Sequence, residues 1–95
     1  MEVKIQSVKF DASKQLIEFV EKKMSRLERF EDSSTGVDVV LKLDKDSEKG
    51  NKVALVTLRV PGGDIVSEQR ARTFEEAVDL ALDALKRQIE KRKER

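Results

Sequence analysis

Two segments of this chain carry cations at a spacing suited to holding phosphates. One is EKKMSRLERF, with Lys22, Lys23, Arg26 and Arg29; the other is KRQIEKRKER, with Lys86, Arg87, Lys91, Arg92, Lys93 and Arg95. Cations three or four positions apart share one face of a helix, so each segment can present a stripe of positive charge to a sugar–phosphate backbone. On a wheel of about 100° per residue, Lys22, Arg26 and Arg29 fall nearly opposite Leu16, Val20, Met24 and Leu27, with Lys23 on the flank. A plainer account also exists: Glu18 can pair with Lys22 at i,i+4 for about 0.2–0.5 kcal/mol, so part of this charge could serve the helix alone.

The second segment is more polarised. Glu75, Glu76, Asp79 and Asp83 fill the first half of a helical stretch that has no Lys or Arg, whereas the last ten residues hold six basic and two acidic side chains. The helix dipole favours that order, but it acts over the terminal turns only. Lys86 and Arg87 lie well inside the stretch, which leaves an anionic partner and a merely solvated surface both open.

Composition excludes other chemistry. Lys and Arg number 20 against 19 Asp and Glu, so the net charge is +1 and only its distribution is informative. Cysteine and histidine are absent, removing thiolate and imidazole nucleophiles, bases and metal ligands. The expectation is therefore no enzyme, no metal and no cofactor. The carboxylate pairs Asp44 with Asp46 and Asp79 with Asp83 have quiet explanations, a turn and one i,i+4 step on a helix surface. DKDSEKGN lacks the later bidentate glutamate of a calcium loop. No apolar run approaches membrane-spanning length and MEVKIQSVKF alternates instead of forming a signal sequence. A soluble, cytoplasmic chain is expected.

The elements that must position the cations follow from periodicity. Val3 and Ile5 alternate, and the apolar parity then changes to Val8 and Phe10, which predicts a first strand with a bulge. Asp11 is the expected N-cap of a first helix over 12–30. Val37, Val39, Leu41 and Leu43 mark a second strand, and Ala54, Val56, Leu58 and Val60 a third, joined as a hairpin. The segment 64–70 reads as an edge strand. Thr73 and Glu76 form a capping box for a second helix whose apolar stripe is Phe74, Ala77, Val78, Ala81, Leu82, Leu85 and Ile89. The fold class is α+β in the order β-α-β-β-β-α: a four-stranded, mostly antiparallel sheet with two helices packed on one face, a single domain over 1–95.

With the helices side by side, their basic residues would merge into one ridge. Folded RNA suits it, since duplex RNA is recognised by backbone and shape. Phe10, Phe19, Phe30 and Phe74 are the only aromatic residues, too few at exposed positions for base stacking. A domain acting on free double-stranded RNA fits less well, because the acidic turn TFEE would repel phosphate where such domains carry lysines. A different class of reading uses the opposite sheet face, where Val53, Leu55, Thr57 and Arg59 are expected to be presented to a protein partner or a second copy.

The segments SKQLIEFVEKKMSRLERF and TFEEAVDLALDALKRQIEKRKER, with a strand ending in VPGG, appear in the order of one family. Over essentially its whole length the chain resembles the short form of the ribosome hibernation promoting factor, or ribosomal subunit interface, family. That resemblance implies a fold related to double-stranded RNA-binding domains. It also implies binding to rRNA on the interface side of the small ribosomal subunit, in the mRNA and tRNA channel, which holds 70S ribosomes inactive under stress or in stationary phase. It matches Lys23, Arg26, Arg29, Arg87 and Lys91 to basic positions that face rRNA, and Gln88 to the family's motif glutamine. Glu75 and Ala84 stand where the family often has tyrosine and lysine, so those two contacts do not carry over, and Arg92 replaces a frequent aromatic. No C-terminal dimerisation domain is expected, leaving ribosome pairing to a separate dimerising factor.

Overall fold

Four alternating segments and two helical stripes can bury their apolar sides together in only a few ways. The computed structural model, which describes residues 1–93, arranges them as β1 (Glu2–Val8), α1 (Lys14–Ser25), a 3₁₀ turn (Arg26–Arg29), β2 (Gly36–Leu43), β3 (Lys52–Arg59), β4 (Ile65–Ala71) and α2 (Phe74–Lys93). Glu94 and Arg95 of the basic tail lie outside the described residues. The sheet order is β1-β2-β3-β4, with β1 parallel to β2 and the other pairs antiparallel. The fold class expected from the sequence is the one found.

One sheet face carries the core. Val37, Val39 and Leu41 of β2 and Ala54, Val56 and Leu58 of β3 meet Leu16, Val20 and Met24 of α1, Leu27 of the 3₁₀ turn, and Ala77, Val78, Ala81, Leu85 and Ile89 of α2. Helix α1 packs over β1, while α2 lies over β3 and β4.

Three local expectations need correction. The first strand has no bulge, because Glu2 to Val8 pair with Gly36 to Lys42 in unbroken register. Val8 still belongs to the strand, on the face opposite Val3 and Ile5, and the chain turns just past it, where Lys9 adopts a left-handed φ of 70°. That turn brings Phe10 back to the helix side, stacked on Phe74 with ring centroids 4.5 Å apart. The N-cap of α1 is Ser13, not Asp11: its hydroxyl accepts from the Leu16 N–H at 3.1 Å, leaving residues 11 and 12 outside the helix. The helix expected over 12–30 is α-helical only to Ser25, and Arg26–Arg29 wind more tightly.

At α2, Thr73 does cap, its hydroxyl accepting from the Glu76 N–H at 3.1 Å. The β2–β3 loop is held from the sheet by Arg70, which donates to the carbonyls of Lys45 and Gly50 at 3.0 Å each and pairs with Asp44.

Candidate nucleic-acid interface

The two helices run side by side in the same direction. Lys23 of α1 lies 3.2 Å from Asp79 in the first half of α2. Further along, the Lys86 ammonium sits 4.7 Å from the centre of the Phe30 ring, and Lys93 donates to the Phe30 carbonyl. Both basic ends therefore come to one end of the molecule.

The cations named from the sequence divide into two groups. Lys22, Arg26, Arg29, Arg87 and Lys91 are exposed, and no side-chain hydrogen bond or ion pair joins them to another described residue. Lys22, Arg26 and Arg29 line, with Ser25, one open cleft of about 350 Å³. The i,i+4 pair expected between Glu18 and Lys22 is not formed, which leaves Lys22 to solvent. Arg87 and Lys91 stand opposite the buried stripe of α2 that includes Leu85 and Ile89.

Internal partners hold the second group. Besides its ion pair, Lys23 lies 5.3 Å from the Phe19 ring centre, and its side chain is only 24% exposed. Lys86 rests on Phe30. Arg92 donates to the Gly63 carbonyl in the β3–β4 turn at 2.9 Å, and Lys93 caps the carbonyl end of the 3₁₀ turn. These four contribute positive potential while also fastening helix to sheet and helix to helix. Gln88 belongs with them, since it donates to the Val66 carbonyl at 3.0 Å and so covers part of the edge of β4.

An acid borders the same end. The Ser33 hydroxyl, 2.5 Å from the Glu31 carboxylate, holds that group below its ordinary range, with Lys93 and Arg92 adding to the effect. Ser25 was missed by sequence reasoning, and the signal available was its place between Lys22 and Arg26 in the stripe.

The opposite sheet face is less open than expected. Val53, expected exposed, is buried to 2%, sharing a small recess with Lys42, Asp44, Glu68 and Arg70. Long charged side chains on neighbouring strands cover a valine by their aliphatic stems. Leu55 and Thr57 are half-buried and Arg59 pairs with Asp38. Val66, 48% exposed, is the main apolar side chain that this face offers.

Four strands in this order, two parallel helices on one side and cations turned outward define a two-layer α+β domain with a cationic helical face. The chain belongs to the Sigma 54 modulation protein / S30EA ribosomal protein family, which matches residues 3–95. It is similar to the ribosome hibernation promoting factor of Azotobacter vinelandii, 36% identical over 95 residues that make up 100% of this chain and 85% of that protein. A ribosomal subunit interface protein from Coxiella burnetii shares the fold, with a TM-score of 0.87 at 24% identity over 100% of both chains. The N-terminal domain of Thermus thermophilus Protein Y gives a TM-score of 0.80 at 28% identity, covering 96% of this chain and 98% of that one.

Proposed function

We propose that this chain is a ribosome hibernation factor, a single cytoplasmic domain that binds rRNA on the interface side of the small ribosomal subunit. There it occupies the channel for mRNA and tRNA and keeps the ribosome idle. No bond is made or broken; the work is done by neutralising phosphates on a folded RNA. The observation that carries this reading is the group Lys22, Arg26, Arg29, Arg87 and Lys91, exposed on α1, the 3₁₀ turn that continues it and α2, without partners among the described residues. Family membership and the names of the relatives support the ribosome as the partner. Among the described residues no helix is long and apolar enough to cross a membrane.

Binding to purified 30S subunits in a salt titration is the test. Five phosphate contacts imply a log–log slope of roughly −4. Arg87→Glu with Lys91→Glu should weaken binding at moderate salt and leave the circular dichroism unchanged, because both side chains lie off the core. A double variant that binds as tightly as the parent would refute the assignment of the site.

A further inference from the structure

Ser25 stands inside the cationic face and the proposed function gives it no task. It is exposed and lines the same cleft as Lys22, Arg26 and Arg29. Its hydroxyl donates to the Glu21 carbonyl at 2.7 Å, a bond back to the preceding turn that a serine gives up readily. The residue also closes α1, where the backbone passes from α to 3₁₀ winding. In sequence it is flanked by Lys22 and Lys23 before and Arg26 after.

From this juxtaposition we propose that Ser25 is a phosphorylation site for a protein kinase that selects serines among basic residues, and that the phosphate turns the cationic face off. The inference rests on the reading of that face as the rRNA-binding surface. In the reaction the Ser25 Oγ attacks the γ-phosphorus of ATP. The Oγ–P bond forms as the bond to the β-phosphate oxygen breaks, ADP leaves, and the hydroxyl proton passes to a carboxylate of the kinase.

A phosphoserine here brings a charge of about −1.5 to −2 into a group of three cations. Lys22 precedes it by one helical turn, Arg26 follows directly and Arg29 lies one turn beyond, so each can form charge-assisted hydrogen bonds with it. Those donors are then satisfied within the protein and release no counterions from RNA. The acids nearby do not prevent this. Glu21 is outnumbered by the three cations, and Glu28 is tied to the amino terminus of Met1 at 2.9 Å.

The test has two arms. The protein and its Ser25→Ala variant are incubated with a purified basophilic serine kinase and radiolabelled ATP; label is expected on the former and not on the latter. Protein carrying phosphoserine at position 25, introduced co-translationally, is then compared with unmodified protein on 30S subunits across a salt series. Loss of a single charge-assisted contact corresponds to about ten- to a hundredfold weaker binding, and a shallower salt slope should accompany it. Ser25→Asp should show a smaller loss in the same direction. Equal labelling of the Ser25→Ala variant, unchanged affinity on phosphorylation, or loss of helical circular dichroism in the phosphoprotein would each overturn the inference. If unmodified protein fails to bind 30S at low salt, the reading of the face itself falls.

Discussion

The Lys23 ammonium and the Asp79 carboxylate lie 3.2 Å apart, joining α1 to α2 across the groove between them. This contact takes one cation of the face out of free solution and aligns the two helices. The pair is partly exposed, with side-chain accessibilities of 24% and 49%, and a pair of that kind is worth less than about 1 kcal/mol. Replacing Asp79→Asn should therefore lower stability only slightly in chemical denaturation, an effect that vanishes in 1 M salt as screening removes it. The same change frees Lys23 and should raise affinity for 30S subunits several-fold. Weakened binding would show that Lys23 acts only where Asp79 holds it.

Arg87 and Arg92 are both exposed arginines of α2 and should respond differently to truncation. Arg92 holds the Gly63 carbonyl, so Arg92→Ala should cost about 0.5–1.5 kcal/mol of stability, visible as a lower denaturation midpoint. Arg87→Ala removes no contact within the described residues and should leave the midpoint in place while lowering affinity for rRNA. Equal midpoints for the two variants would contradict the division of the cations into fastening and free groups.

Gly50 is required by its backbone. It has a φ of 106°, and a Cβ there would lie 2.2 Å from the Ala71 carbonyl oxygen. Gly50→Ala meets both a disfavoured conformation and a collision with backbone atoms, and should destabilise the domain by about 2–4 kcal/mol. Thermal melting checks this, with Gly63→Ala as the contrast: its φ of 132° is also disfavoured, but no atom lies within 4 Å of the added Cβ. The loss at Gly63 should be the smaller.

Asp44 gives the β2–β3 loop a dependence on pH. Its carboxylate accepts from the Lys45 N–H and pairs with Arg70, and both hold it below the usual aspartate range. A carboxylate with a lowered folded value adds stability above its unfolded value and loses it as pH falls through the folded one. NMR titration of the Asp44 carboxyl should show the lowered midpoint, and Arg70→Ala should move it up towards the ordinary value. Acid should loosen this loop of the variant at a higher pH than in the parent.

Much of the fold was legible because burial imposes its period on the sequence. Val37, Val39 and Leu41 had to share a face, and so did Ala77, Val78, Ala81 and Leu85. The Thr73 cap was legible from local chemistry. What failed locally failed for local reasons: Ser13 outcompetes Asp11 because it is the residue whose oxygen reaches the third helical N–H, and the left-handed turn at Lys9 has the same apolar signature as a bulge. Val53 was misplaced because the covering side chains come from other strands.

By itself, the sequence determined the element order, the core stripes and the presence of two basic helix faces, because periodicity and charge are properties of neighbours along the chain. It could not decide which cations remain available. Lys23, Lys86, Arg92 and Lys93 meet their partners across 29 to 63 positions of sequence in the cases of Arg92 with Gly63 and Lys93 with Phe30. Only the tertiary packing of α2 against α1, the 3₁₀ turn and the β3–β4 turn brings such groups together, and so only it separates the cations that fasten the domain from Lys22, Arg26, Arg29, Arg87 and Lys91, which face outward.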